Sequence, residues 1–144
     1  MALEISRKHF KVLAAYAVVP GIKLRWDKDQ DERNAEKPRS FCYVRPDDPL
    51  PIYCAKTLDN VSTNVRIGIL LHEIGHIQLD AFNGDECEVD VDDWVLREFP
   101  ESGYTYKDHK YYNELTGKYV IGHSLQHVSR KFLETLHLRD RQRP

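Results

Sequence analysis

Apolar positions along this chain change their spacing often enough to divide it into segments. Phe10, Leu13, Ala14 and Ala17 recur at helical spacing and Pro20-Gly21 supplies a stop, so a first helix docked on a core is predicted there. Residues 22–26, Ile-Lys-Leu-Arg-Trp, alternate as a half-buried strand does. Residues 27–40 are charged, contain a proline and show no period, which predicts an exposed loop. Two β-rich runs, 41–45 and 52–58, flank the turn-forming Pro46-Asp-Asp-Pro-Leu-Pro51 and read as a hairpin or as neighbouring strands. Ser62 is suited to cap a helix running to about Asp80, before the breaker Asn83-Gly84, and Asp85 to cap another reaching Phe99, before Pro100. A Tyr-rich linker follows. In 113–138 the positions of Leu115, Val120, Leu125, Val128, Phe132 and Leu136 predict one or two more helices, with 139–144 a polar tail. The fold class expected is α+β, a small β-sheet packed on a central helix and further helices.

Composition narrows the function classes. The chain has 144 residues, 41% of them hydrophobic, which suits one domain, 1–144, with its own core. Charged residues reach 31%, yet the net charge is only −2, so no global field directs the protein to nucleic acid. Arg130, Lys131, Arg139, Arg141 and Arg143 are interrupted by Glu134 and Asp140 and read as a solvated helix end. No apolar run is long enough to cross a bilayer, so no membrane partner is expected. Arg7, Lys8 and Lys11 before the apolar residues 12–19 imitate a secretory signal, but a docked first helix explains the same residues. Cys42, Cys54 and Cys87 are odd in number and not in CxxC pairs, which argues against a disulfide framework and for a reducing, cytoplasmic setting.

Against this background one segment carries chemistry. Leu70-Leu-His-Glu-Ile-Gly-His-Ile77 contains HExxH. On a helix, His72 and His76 lie roughly 40° apart around the axis and about 6 Å apart along it, so both imidazoles can point at one metal, for which zinc is the natural choice. Glu73 is turned by about 100° from its neighbour, beside the ion rather than on it, where a general base belongs. Gly75 lets something pack closely on this turn. The ordinary alternative, two satisfied core histidines, would bury ionisable groups among Ile69, Leu70, Leu71, Ile74 and Ile77 at high cost unless a metal or partners were present.

A catalytic zinc needs a third protein ligand and an open position. The metzincin pattern is absent, because Leu79 and Phe82 stand where its glycine and third histidine belong and Met1 is the only methionine. The acidic run 85–93 remains. At about 100° per residue, Glu88, Val91, Asp92, Val95 and Phe99 share one otherwise apolar face. Glu88 is therefore the expected third ligand, with Asp90 and Glu86 as fallbacks, and Asp92 the group that accepts the second N–H of a liganding histidine. One of Tyr104, Tyr106, His109, Tyr111 or Tyr112 is expected to stabilise the oxyanion. His123 and His127 repeat the four-residue spacing without a glutamate between them and read as an ordinary pair on a helix.

HExxH followed by an acidic ligand on the next helix resembles the gluzincin peptidases, and Glu88-Val-Asp-Val-Asp92 resembles their ExxxD element. The nearer likeness is to the compact ImmA/IrrE-type metallopeptidases, often carried by phages and mobile elements. Their ExEADxFA pattern is similar to residues 88–95, with Asp90, Val91, Trp94 and Val95 substituting. The resemblance implies a minimal zincin-like fold and cleavage of a repressor or regulator protein. Together these readings lead to a zinc-dependent metallopeptidase acting on a protein or peptide, which would bind as an extra strand along 52–58. The alternative from another class is a structural or virion component that keeps a non-catalytic zinc site.

Overall fold

The computed structural model describes residues 2–17, 19–36, 41–80, 85–113 and 117–137, with the side chains of 36, 85–87, 108–113 and 120–125 outside that description. The element order is α1 (Glu4–Ala14), β1 (Lys23–Trp26), α2 (Lys28–Glu36), β2 (Cys42–Arg45), β3 (Asp48–Cys54), a 3-10 turn (Lys56–Asn60), α3 (Thr63–Leu79), α4 (Asp85–Glu98), β4 (Thr105–Asn113), β5 (Lys118–His127) and α5 (Arg130–Thr135). This is α+β, with a mixed three-stranded sheet of order β1-β3-β2 and a separate antiparallel pair, β4-β5. No helix among the described residues is long and apolar enough to cross a membrane.

The centre is α3. Every residue from 66 to 77 is buried, and a helix without a polar face has to be enclosed on all sides. The enclosure comes from α1, the β2-β3 side of the sheet, α4, β5 and α5. Buried Arg66 is satisfied by backbone: its guanidinium donates to the carbonyls of Leu58 at 3.2 Å, Asp59 at 3.0 Å and Val61 at 2.6 Å, which fastens the 3-10 turn to the start of α3. Asp59 faces the other way and caps α1, accepting the Ser6 N–H at 2.9 Å and the Ser6 hydroxyl at 2.5 Å. β5 reaches α3 through Gly68, where an added Cβ would stand 2.5 Å from the Cα of His127.

Several elements differ from the sequence expectations. Residues 28–36 form α2 rather than a loop. The helix has no apolar stripe but is held by polar contacts: Asp27 accepts the Asp29 N–H at 3.0 Å at its start, Gln30 donates to Asn34 at 3.1 Å, and Asp31 accepts the Trp26 indole N–H at 2.6 Å. The strand expected at 52–58 begins at Asp48 and ends at Cys54. It is the middle strand of its sheet, parallel to β1 and antiparallel to β2, so its backbone groups are occupied on both sides and it offers no edge to a substrate.

The largest correction concerns the helices expected across 113–138 and the Tyr-rich linker before them. Residues 105–113 and 118–127 are the strands of a hairpin turned at Gly117, whose φ of +72° suits a residue without Cβ. Tyr106, Tyr111, Tyr112, Tyr119, Val120 and Ile121 are aromatic or β-branched and favour the pleat over the helix. His123 and His127 therefore belong to a strand. Among the described residues of this stretch only 130–135 is helical, capped by Ser129, whose hydroxyl accepts the Phe132 N–H at 3.1 Å.

Candidate metal centre

The spacing of His72 and His76 on α3 brings their imidazoles together on one side, edge to face, with Nε2 atoms 3.1 Å apart. Facing them is α4, which runs antiparallel: Glu88 lies opposite His76 and His72, and Asp92, one turn on, lies opposite His72. Gly75 sets how closely the helices approach. A Cβ there would come within 2.8 Å of Val91 Cγ1 and 3.1 Å of Trp94 Cε3, so any other residue would push α4 outward. The face expected on α4 is the one that packs: Val91, Asp92 and Val95 are fully buried and Phe99 is buried, whereas Asp90, Asp93 and Arg97 are exposed.

Glu88 Oε2 stands 2.7 Å from His72 Nε2 and 3.7 Å from His76 Nε2. One ligand atom from each of the three residues lies within 4.8 Å of the others, and the group can hold a metal ion. The fit is good on two counts. Donors bonded at about 2.0–2.1 Å around a tetrahedral ion are separated by roughly 3.3 Å, and the three observed separations bracket that value. Two imidazole nitrogens and a carboxylate oxygen are also a donor set suited to a divalent transition ion. Glu88 keeps 29% of its side-chain exposure while both histidines are buried, but its Oε2, the atom that faces them, is buried as well.

Behind the ligand atoms lies a second set of contacts. Asp92, with no exposure, places Oδ1 3.1 Å from His72 Nδ1, and Tyr104 donates its hydroxyl to the same Oδ1 at 2.5 Å. A carboxylate at Nδ1 fixes the proton there and leaves Nε2 free to bind. Burial alone would depress the His72 pKa, but the carboxylates of Asp92 and Glu88 outweigh it and raise the imidazole to about 10. Burial pushes the Glu73 carboxyl above its usual range, opposed by His72 and His76, whose charges it feels. Burial, reinforced by Asp92, also raises the Tyr104 phenol.

His72, His76, Glu88 and Asp92 are thus all at the α3-α4 contact, and Glu73 is buried on α3, close enough to His72, His76 and Glu88 for their charges to interact. Tyr104, one of the five candidates for the oxyanion, has its hydroxyl on Asp92 and 3.3 Å from Nδ1 of His72, the ring nitrogen turned away from the donor group. That position depends on the turn after α4, where Gly103 has a φ of +65° and Ser102 accepts the Tyr104 N–H at 3.1 Å. No periodicity in the sequence signals it. The side chains of Glu86, His109, Tyr111, Tyr112 and His123 lie outside the described residues. Comparison with protein-family models, curated proteins and solved structures finds no match to the chain.

Proposed function

We propose that the protein is a zinc-dependent metallopeptidase in which His72, His76 and Glu88 hold the ion and Glu73 is the general base. The observation that carries this reading is the three-donor group on α3 and α4, next to a buried glutamate that is not one of the donors. Zinc supplies a Lewis acid and lowers the pKa of water to about 7. Glu73, buried beside the donors without being one of them, would take a proton from the attacking water and return it to the leaving nitrogen. Asp92 holds His72 in the tautomer that binds through Nε2.

With β3 enclosed, β2 is the edge strand that packs on α3, and Cys42 on β2 is close enough to Glu73 for their charges to interact. A peptide adding to the outer edge of β2, which pairs with no other strand among the described residues, would therefore run past the base. The competing reading, a structural or virion component with a closed zinc site, requires a fourth protein donor. Among the described residues the set numbers three. The test is cleavage of a fluorescently labelled unfolded protein by the zinc-loaded chain. Glu73→Gln should retain the metal and lose at least about 100-fold in rate, and equal rates in the two proteins would refute the assignment of Glu73.

A further inference from the structure

Beyond the metal centre, two sulfur atoms meet in the core. Cys42 on β2 and Cys54 on β3 are register partners across the antiparallel pair. Ala55 N donates to Phe41 O at 2.8 Å, so the 41–55 pair is hydrogen-bonded, and the alternation of the ladder makes 42–54 a non-hydrogen-bonded pair. Cα atoms in such a pair are about 4.5 Å apart, within the span a disulfide bridges. The backbone oxygen of Cys54 turns the other way, accepting the Asp27 N–H at 2.9 Å. Both side chains point to the α3 side of the sheet and are buried, Cys54 completely. Both are thiols in this structure, with Sγ atoms 2.8 Å apart. Closing them to a bond of about 2.05 Å asks for less than about an ångström of combined movement.

We propose that Cys42 and Cys54 are a redox pair that closes to a cross-strand disulfide beneath the HExxH helix, with hydrogen peroxide as oxidant. One Sγ, as thiolate, attacks a peroxide oxygen, breaking the O–O bond to give a sulfenic acid and, with a proton, water. The second thiol then attacks that sulfur, forming the S–S bond and expelling a second water. Two thiol hydrogens and two electrons leave the protein, and one peroxide becomes two waters. Burial pushes the Cys42 thiol up, so closure in the folded protein is slow and follows openings of the sheet. The bridge ties β2, which packs on α3, to the middle of the sheet, and this does not depend on a metal being bound. Spacing in the sequence hides the pair, because facing is a property of strand register.

The full chain, incubated with peroxide and then denatured in a thiol-alkylating reagent without reductant, should take up one label, at Cys87. Peptide mapping should find residues 42 and 54 joined. After reduction, all three cysteines should label. Oxidised protein should melt about 5 to 15 °C above reduced protein, a difference absent in Cys54→Ser and in Cys42→Ala. Three labels after oxidation, or a bridge that involves Cys87, would overturn the proposal on the unaltered protein, whatever the folding of the variants.

Discussion

Asp92 Oδ1 sits 3.1 Å from His72 Nδ1 while accepting the Tyr104 hydroxyl at 2.5 Å, so a single buried oxygen joins the HExxH helix, its partner helix and the turn that follows. This arrangement makes Asp92 an orienting group whose loss should be felt at the ion. Asp92→Asn should weaken zinc binding by roughly 10- to 100-fold. Tyr104→Phe should weaken it less and lower stability by about 1–3 kcal/mol, because the buried carboxylate loses a donor. Competition with a chromophoric chelator measures the first effect and thermal melts the second.

The ligand set predicts a ranking along α4. Glu88→Ala removes a donor that lies 2.7 Å from His72 Nε2 and should abolish tight zinc binding, whereas Asp90→Ala changes an exposed side chain and should leave it unaltered. Metal titrations of the two variants decide the matter, and equal losses would contradict the ranking.

Gly75→Ala tests the close approach of α3 and α4. The new methyl would meet Val91 Cγ1 at 2.8 Å, and Val91 is β-branched and fully buried, so it cannot turn aside. Overpacking of about 1–3 kcal/mol should exceed the gain of roughly 1 kcal/mol in helix propensity. Because Glu88 shares α4 with Val91, metal affinity should fall together with the melting temperature. Adding Val91→Ala should restore part of both.

On the proposed ligand set, a metal and a proton should compete for His72. In the metal-free chain its imidazole is raised to about 10. The stability it contributes there is fully present below the unfolded value near 6.5 and is lost as pH rises through about 10. Zinc takes the neutral ring, so binding at pH 7 should release about one proton from this residue. Calorimetry in buffers of different ionisation enthalpy reads that number. It should fall as the pH is raised toward 10, and zinc should raise the melting temperature more at pH 8 than at pH 6.

The meeting of His72, His76 and Glu88 was largely legible in the sequence because it rests on helical geometry. His72 and His76 share a face by their spacing, and Glu88, Val91, Asp92, Val95 and Phe99 share another, so two helices and one short connection bring the groups together. Helix α2 was not legible, because it is stabilised by Asp27, Asp31 and Gln30 through hydrogen bonds that leave no apolar period. The hairpin of β4 and β5 was misread because apolar residues at mixed spacing fit a helix as readily as a strand until Gly117 is seen in its left-handed turn. The inner position of β3 and the facing of Cys42 and Cys54 follow from pairing between distant segments, which no local pattern encodes.

The most direct measurement is metal analysis of the protein purified without added zinc, alongside Glu73→Gln and His76→Ala. The account predicts about one zinc per chain in the unaltered protein and in Glu73→Gln, where the ligands are untouched, and a loss of most of it in His76→Ala. Zinc missing from all three, or kept in full by His76→Ala, would contradict it.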